Sequence, residues 1–326
     1  MFALRKTLKQ PSVFTAAVHR LTTTTTTANL PEPSTSAAYD DLITTAGRQR
    51  DLATVRRLLN QRYANGLFFT TNTFNFISTA DDISDLLKTL PDLKEGHCRK
   101  SAYDSLISRL CKLRLTDAAL RVATSDDLAV AGKHAAGDAR TFHPILSLLT
   151  RKKNFNEAWR VIEIMRSRGI ARDVTCYNYF LTAYSVAGDP RSGVGVLKKM
   201  AEEGLKADAR TYDALVLGAC KLGKVDAAVA VMRRMVEDGV VGMHSTYAHV
   251  IGGLVRLGYC AQAVELVMSY GGRDKKLDEH NFGLLASRLM DVNKVDEGKF
   301  VLDEMVKRDL EMGEKLKEFC KNLKEV

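Results

Sequence analysis

Long apolar runs are missing from this chain of 326 residues. Nowhere do about 18 consecutive apolar residues occur, roughly the minimum for a membrane-spanning helix, so no membrane insertion is expected. Proline is scarce, with 6 residues against 22 glycines, which excludes collagen-like and proline-rich structure. Cysteine is thinly spread. Cys98, Cys111, Cys176, Cys220, Cys260 and Cys320 form no C-x-x-C pair and no tight sequence cluster with histidine, so zinc-ligand spacing is absent and the thiols read as reduced, buried residues on helices. The 7 histidines include neither H-E-x-x-H nor an H-x-E followed by P-C-x-x-C, which removes two zinc-enzyme signatures. Acid is missing from the start of the chain, where the first carboxylate is Glu32.

What is present is enough to fold. A composition that is 45% hydrophobic and 27% charged buries a sizeable core. Lysine and arginine, 48 together, exceed 39 aspartates and glutamates, and the net charge of +9 points to an anionic partner: nucleic acid, a ribosome surface or acidic lipid. The acid-free start carries Arg5, Lys6, Lys9 and Arg20, a threonine run from Thr22 to Thr27, and a helical face of Ala3, Leu4, Thr7 and Leu8. Residues 1–30 are therefore expected to be an organelle import presequence, mitochondrial with plastid as the alternative, and 31–35 a linker.

The strongest signal is an internal repeat. Ala139-Arg140-Thr141-Phe142-His143, Val174-Thr175-Cys176-Tyr177-Asn178, Ala209-Arg210-Thr211-Tyr212-Asp213, His244-Ser245-Thr246-Tyr247-Ala248 and Glu279-His280-Asn281-Phe282-Gly283 start 35 residues apart. That frame gives five regular units, 139–173, 174–208, 209–243, 244–278 and 279–313, preceded by divergent units at 36–70, 71–99 and 100–138. The fourth residue of every unit is aromatic: Tyr39, Phe74, Tyr103, Phe142, Tyr177, Tyr212, Tyr247 and Phe282. The twentieth is small in the last six: Ala119, Ala158, Gly193, Ala228, Ala263 and Gly298.

Each unit reads as two short helices. Tyr177, Phe180, Leu181 and Tyr184 share one helical face, Gly188 suits a helix C-terminus, and Asp189-Pro190 suits the cap and first turn of the next helix. That second helix is expected to turn Val194, Leu197 and Met200 inward, with Gly193 allowing close approach of the two helices. One such hairpin cannot bury both of its faces, so neighbours must stack. The expected fold is all-α, an α-solenoid of about eight helix–turn–helix units, closed by a capping helix over 314–326 with Leu316 and Phe319 on the last repeat.

The residues Val174-Thr175-Cys176-Tyr177-Asn178, Leu217-Gly218-Ala219-Cys220-Lys221-Leu222-Gly223 and the Met235 to Gly239 spacing resemble the pentatricopeptide repeat family, in its pure-repeat form, over about 36–313. The resemblance implies a non-catalytic protein without cofactor or metal. Single-stranded organellar RNA would lie along the first-helix face at about one base per repeat, in processing, stability or translation of mitochondrial transcripts. The alternative is a structural or accessory subunit of the mitochondrial ribosome.

By the same resemblance the fifth and last residues of a unit read the base edge. The carried-over pairs are Asp40/Thr70, Asn75/Arg99, Asp104/Asp138, His143/Asp173, Asn178/Asp208, Asp213/Met243, Ala248/Asp278 and Gly283/Gly313. Among them Asn178/Asp208 resembles uracil readers, and Gly283/Gly313 has no side chains to read with. The thirteenth residue, which in the family approaches the RNA backbone, is Arg48, Lys112, Arg151, Lys221 or Arg256 in five units. Basic density peaks in 139–173, with eight bases against three acids, so under this resemblance RNA is expected on the middle of the solenoid.

Two further motifs are decoys. Asp81-Asp82-Ile83-Ser84-Asp85 has a magnesium–diphosphate shape without a second acidic cluster, and its acids suit a helix start. Gly193-Val194-Gly195 is a fragment of a phosphate loop with no strand before it.

Overall fold

A computed structural model describes residues 33–125 and 138–322. The presequence expected at 1–30 lies outside them. The described residues contain no strand, and the chain forms an all-α solenoid. Its helices are α1 (Ser36–Arg48), α2 (Leu52–Ala64), α3 (Ser84–Thr89), α4 (Gly96–Lys112), α5 (Thr116–Ala123), α6 (Ala139–Arg151), α7 (Phe155–Ser167), α8 (Val174–Ala187), α9 (Pro190–Glu202), α10 (Ala209–Lys221), α11 (Val225–Glu237), α12 (His244–Arg256), α13 (Cys260–Tyr270), α14 (Lys275–Asp291), α15 (Val295–Lys307) and α16 (Glu314–Asn322).

The starts and stops have local causes. Asp138, Asp173 and Asp208 precede α6, α8 and α10, and each side chain accepts a hydrogen bond from a backbone N–H of the first turn. Asp51, Asn154 and Asp189 do the same for second helices α2, α7 and α9, with Pro190 opening the last of these. The turn between paired helices recurs in geometry as well as in position. The fifteenth residue of seven units, namely Arg50, Arg114, Lys153, Gly188, Gly223, Gly258 and Asn293, takes a left-handed φ between 57° and 83°. Glycine adopts that conformation freely, so Arg50, Arg114 and Lys153 hold it at a cost of about 1 kcal/mol each.

Packing follows the expected face. Tyr39, Phe74, Tyr103, Phe142, Tyr177, Tyr212, Tyr247 and Phe282, the fourth residues, are all buried. Neighbouring units interlock through aromatics: Trp159 of α7 stacks on Phe180 of α8 at 4.1 Å between ring centroids, and Phe155 stacks on Tyr184 at 4.2 Å. First helices pack on the first helices of adjacent units, α4 on α6 and onward through α8, α10, α12 and α14. Second helices pack chiefly on first helices, so the first helices form the tighter, inner row.

Several expectations change. Residues 71–99 do not form two regular helices; turns lead to a 3-10 segment Asp81–Ile83, the six-residue α3 and a second 3-10 segment Leu90–Asp92, because 29 residues are too few for two full helices. Helix α4 starts at Gly96 and α14 at Lys275, ahead of the repeat frame, the latter because Asp274 supplies an earlier cap through its bond from the Leu277 N–H. Val194 is 52% exposed rather than inward. Gly193 has nothing within 4 Å of where a Cβ would stand, so it mediates no close approach, whereas Gly298 does, its Cβ position lying 2.5 Å from Met290 Cε.

Candidate nucleic-acid interface

At several unit junctions the first turn of one inner helix is brought against the fifth residue of the unit before it. At the centre stands Asn178 on α8. Its Nδ2 donates to Asp208 Oδ1 at 2.9 Å, and its Oδ1 accepts from the Thr211 hydroxyl at 2.8 Å. Asp208 is in turn fixed as the cap of α10, accepting from the Thr211 N–H at 2.8 Å, while Thr211 Oγ1 accepts from the Asp208 N–H at 3.2 Å in a reciprocal capping box. A carboxylate can only accept, so it settles which end of the Asn178 amide faces it. With Asn178 only 4% exposed, just the outer edge of the amide is open, where one N–H and one lone pair remain.

One unit earlier, His143 Nε2 and Asp173 Oδ1 stand 3.0 Å apart, and Asp173 also accepts from the Cys176 N–H at 3.0 Å. Partial burial works to raise the Asp173 pKa, but the Cys176 backbone bond and the His143 contact outweigh it and hold the carboxyl below its ordinary value. The ligand-type atoms of His143, Asp173 and Cys176 lie within 4.8 Å of one another, the only such trio among the described residues. Burial pushes the Cys176 thiol pKa up, and the Asp173 oxygen already serves two donors, so the arrangement acts as a hydrogen-bonded lock on the imidazole.

The remaining candidates divide. Asp104 and Asp138 are bridged by Lys100, at 2.7 Å and 3.4 Å, and Asp104 also accepts from the Thr141 hydroxyl at 2.7 Å. Asp213 accepts from Ser245 and Thr246 at 2.7 and 2.9 Å and faces His249 at 3.9 Å; Met243 brings it no polar partner. Asn75 is exposed and its side chain is not brought to Arg99, which instead donates to the Leu93 carbonyl. Asp40 is sealed by the fully buried Arg62, at 2.6 Å, and by the hydroxyls of Thr70 and Thr73. Asp278 lies inside α14 rather than capping it, with its carboxylate accepting from the Gly272 N–H at 2.7 Å.

The cations of the thirteenth position share one placement. Arg48, Lys112, Arg151, Lys221 and Arg256 are exposed, and none forms an ion pair among the described residues. Arg151 donates to the Ser147 carbonyl at 3.2 Å, Lys221 reaches back to the Val186 carbonyl at 3.3 Å, and Arg256 to the Cys220 carbonyl at 3.0 Å. Each thus sits at the negative end of an inner helix with donor capacity left over. Of the eight bases in 139–173, Arg160, Arg166 and Arg172 are paired with Glu157, Glu163 and Glu203, whereas Arg140, Arg151, Lys152, Lys153 and Arg168 are exposed and unpaired among the described residues. Sequence reasoning missed the hydroxyls of Thr73, Thr141, Thr211 and Thr246. Their recurrence just before the repeated aromatic was the available signal.

Two family models described as PPR repeat match this chain, one over residues 140–170 and 175–205 and the other over 203–236. The mitochondrial pentatricopeptide repeat-containing protein At3g56030 of Arabidopsis thaliana is 46% identical over 297 residues, covering 89% of this chain and 83% of the relative. A second Arabidopsis thaliana protein, the mitochondrial pentatricopeptide repeat-containing protein At2g40240, is 47% identical over 289 residues, 86% of this chain and 80% of its own length. Among solved structures, the pentatricopeptide repeat protein PPR10 in complex with an 18-nt psaJ RNA element gives a TM-score of 0.49 at 18% identity, over 83% of this chain and 42% of that one.

Proposed function

The chain belongs to the pentatricopeptide repeat family, and from that premise we propose that it is a non-catalytic, single-stranded RNA-binding protein of mitochondria, holding a segment of an organellar transcript on its inner helical row. The observation that carries the reading is the Asn178–Asp208–Thr211 junction, a base-sized polar edge held rigid on both sides. The exposed cations at Arg151, Lys221 and Arg256 lie in three different units and can each meet a phosphate. Affinity then comes from backbone contacts without sequence information, and selection from the few polar edges that remain free. The mitochondrial placement is supported by the names of both Arabidopsis relatives and by the acid-free, basic start of the chain.

Binding of the purified chain to pooled mitochondrial RNA tests the proposal. Enrichment of particular transcripts, weakening with salt, is the expected result, and no enrichment with no salt dependence would sink it. One observation favours a second reading, an accessory subunit docked on the mitochondrial ribosome: Asp40, Asp104 and Asp278 are all engaged inside the protein and leave several units without a free reader. Gradient sedimentation of mitochondrial extract separates the two, since a light, RNase-sensitive fraction fits the first and co-migration with a ribosomal subunit fits the second.

A further inference from the structure

We propose that base selection in this chain is a property of three residues rather than two, and that where the third residue of a unit is a threonine it is a positioning residue for the fifth residue of the unit before it. The inference rests on the RNA-binding reading above and deepens it. Its first support is a recurring contact: Thr73, Thr141, Thr211 and Thr246 each donate a hydroxyl hydrogen bond to the fifth residue of the preceding unit, at 2.9, 2.7, 2.8 and 2.9 Å. All four threonines are at most 1% exposed, so water cannot replace the hydroxyl.

The second support is a match of chemistry across junctions. The four hydroxyls face Asp40, Asp104, Asn178 and Asp213, side chains that all carry an accepting oxygen. Where the fifth residue has no such oxygen the third residue of the next unit is not a hydroxyl either: Cys176 follows His143, and Asn281 follows Ala248. Asn281 is 4% exposed and its Oδ1 has no hydrogen-bond partner, as expected when the side chain it should meet ends at a methyl group. The exception sharpens the point. Asn75 has an oxygen but Ala102 stands behind it, and Asn75 is exposed and makes no side-chain hydrogen bond among the described residues.

At Asn178 the physical consequence is definite. Asp208 restrains the Nδ2 end and Thr211 the Oδ1 end, so the amide presents its remaining donor and acceptor in one order only. Without the hydroxyl, Oδ1 becomes a buried acceptor with no donor, and the amide is driven to swing toward the base or solvent to recover one. A base with the wrong donor–acceptor order is then rejected less strongly, while phosphate contacts are untouched.

The test is selection from a randomised single-stranded RNA pool by the full chain, comparing wild type with Thr211→Val, Thr211→Ser, Thr246→Val and Ser192→Ala. Valine keeps the shape and deletes the hydroxyl; serine keeps the hydroxyl; Ser192→Ala removes a comparable hydroxyl–carboxylate bond from the outer helix α9, far from any reader. Thr211→Val should lower base discrimination at one motif position by about three- to tenfold, the worth of one neutral hydrogen bond, with retention of the total pool nearly unchanged. Thr246→Val should act on the neighbouring position, and Thr211→Ser and Ser192→Ala should leave the motif intact. A Thr211→Val motif identical to wild type, or equal loss in Ser192→Ala, overturns the positioning role alone. A wild type that retains RNA in a salt-dependent way but enriches no motif overturns base reading and this inference with it, and one that retains no RNA overturns the proposed function itself.

Discussion

Replacing Arg151, Lys221 and Arg256 together by alanine is the perturbation that most cleanly separates phosphate contact from everything else the chain does. All three are exposed and none is in an ion pair among the described residues, so their loss strands no buried carboxylate. Each donates only to a carbonyl near the end of an inner helix, at 3.0 to 3.3 Å, and water can take over that bond. The fold should therefore survive with a small change in stability. If each cation neutralises one phosphate, the slope of log affinity against log salt falls by about 0.7 per contact on a single strand, or about 2 for the triple variant. At about 0.1 M salt that slope corresponds to roughly 100-fold weaker binding. Fluorescence anisotropy of labelled single-stranded RNA over a salt series reads both quantities, and circular dichroism checks the fold. An unchanged slope in a folded variant would show that these cations meet no phosphate, as would a loss confined to one RNA sequence, because phosphates are the same in all of them.

Three other outcomes follow from the packing. Gly193→Ala should raise stability in urea by about 0.5–1 kcal/mol, since the residue lies inside α9 with open space around it and alanine favours helix; a destabilised variant would mean that the helices do meet there. Arg62→Met should lower stability by about 3–5 kcal/mol in the same assay, because it leaves Asp40 buried without its guanidinium; adding Asp40→Asn should restore much of the loss, and a cost below about 1 kcal/mol would show that the pair is not buried in solution. In native protein at neutral pH a thiol reagent should modify Cys320 first, since the other five cysteines are buried, with burial pushing Cys98 and Cys220 up to about 11 and Cys111 up to about 12. All six should react once the chain is denatured, and fast reaction of Cys111 in the native state would contradict the packing around α4.

The repeat was legible because it is written in apolar and turn residues, whose spacing depends only on helix geometry. Tyr177, Phe180, Leu181 and Tyr184 are buried along one face of α8, and Gly188 ends that helix with a φ of 73°. Features set by contacts between units were harder to read. Gly193 and Gly298 occupy the same repeat position, yet only Gly298 is approached closely, because the approach depends on what the neighbouring helix carries, here Met290. The burial of Arg62 depends on Asp40 and Thr73, which lie 22 and 11 residues away in sequence and give no periodic mark. The first-turn threonines were visible as letters, but a hydroxyl leaves no trace in a hydrophobic pattern until its acceptor is seen across the junction. Candidate readers fared unevenly for the same reason: Asn178 and Asp208 meet as the family resemblance implied, while Asp278 was diverted when Asp274 began its helix four residues early.

Crosslinking of the chain to RNA in mitochondria, followed by sequencing of what is bound, tests the central claim most directly. The expected result is a small set of organellar transcripts crosslinked at single-stranded sites that share a short motif, with the signal lost in the Arg151, Lys221 and Arg256 triple variant. Recovery of no RNA above an uncrosslinked control, or of the same RNA in the same amount from the triple variant, would contradict it.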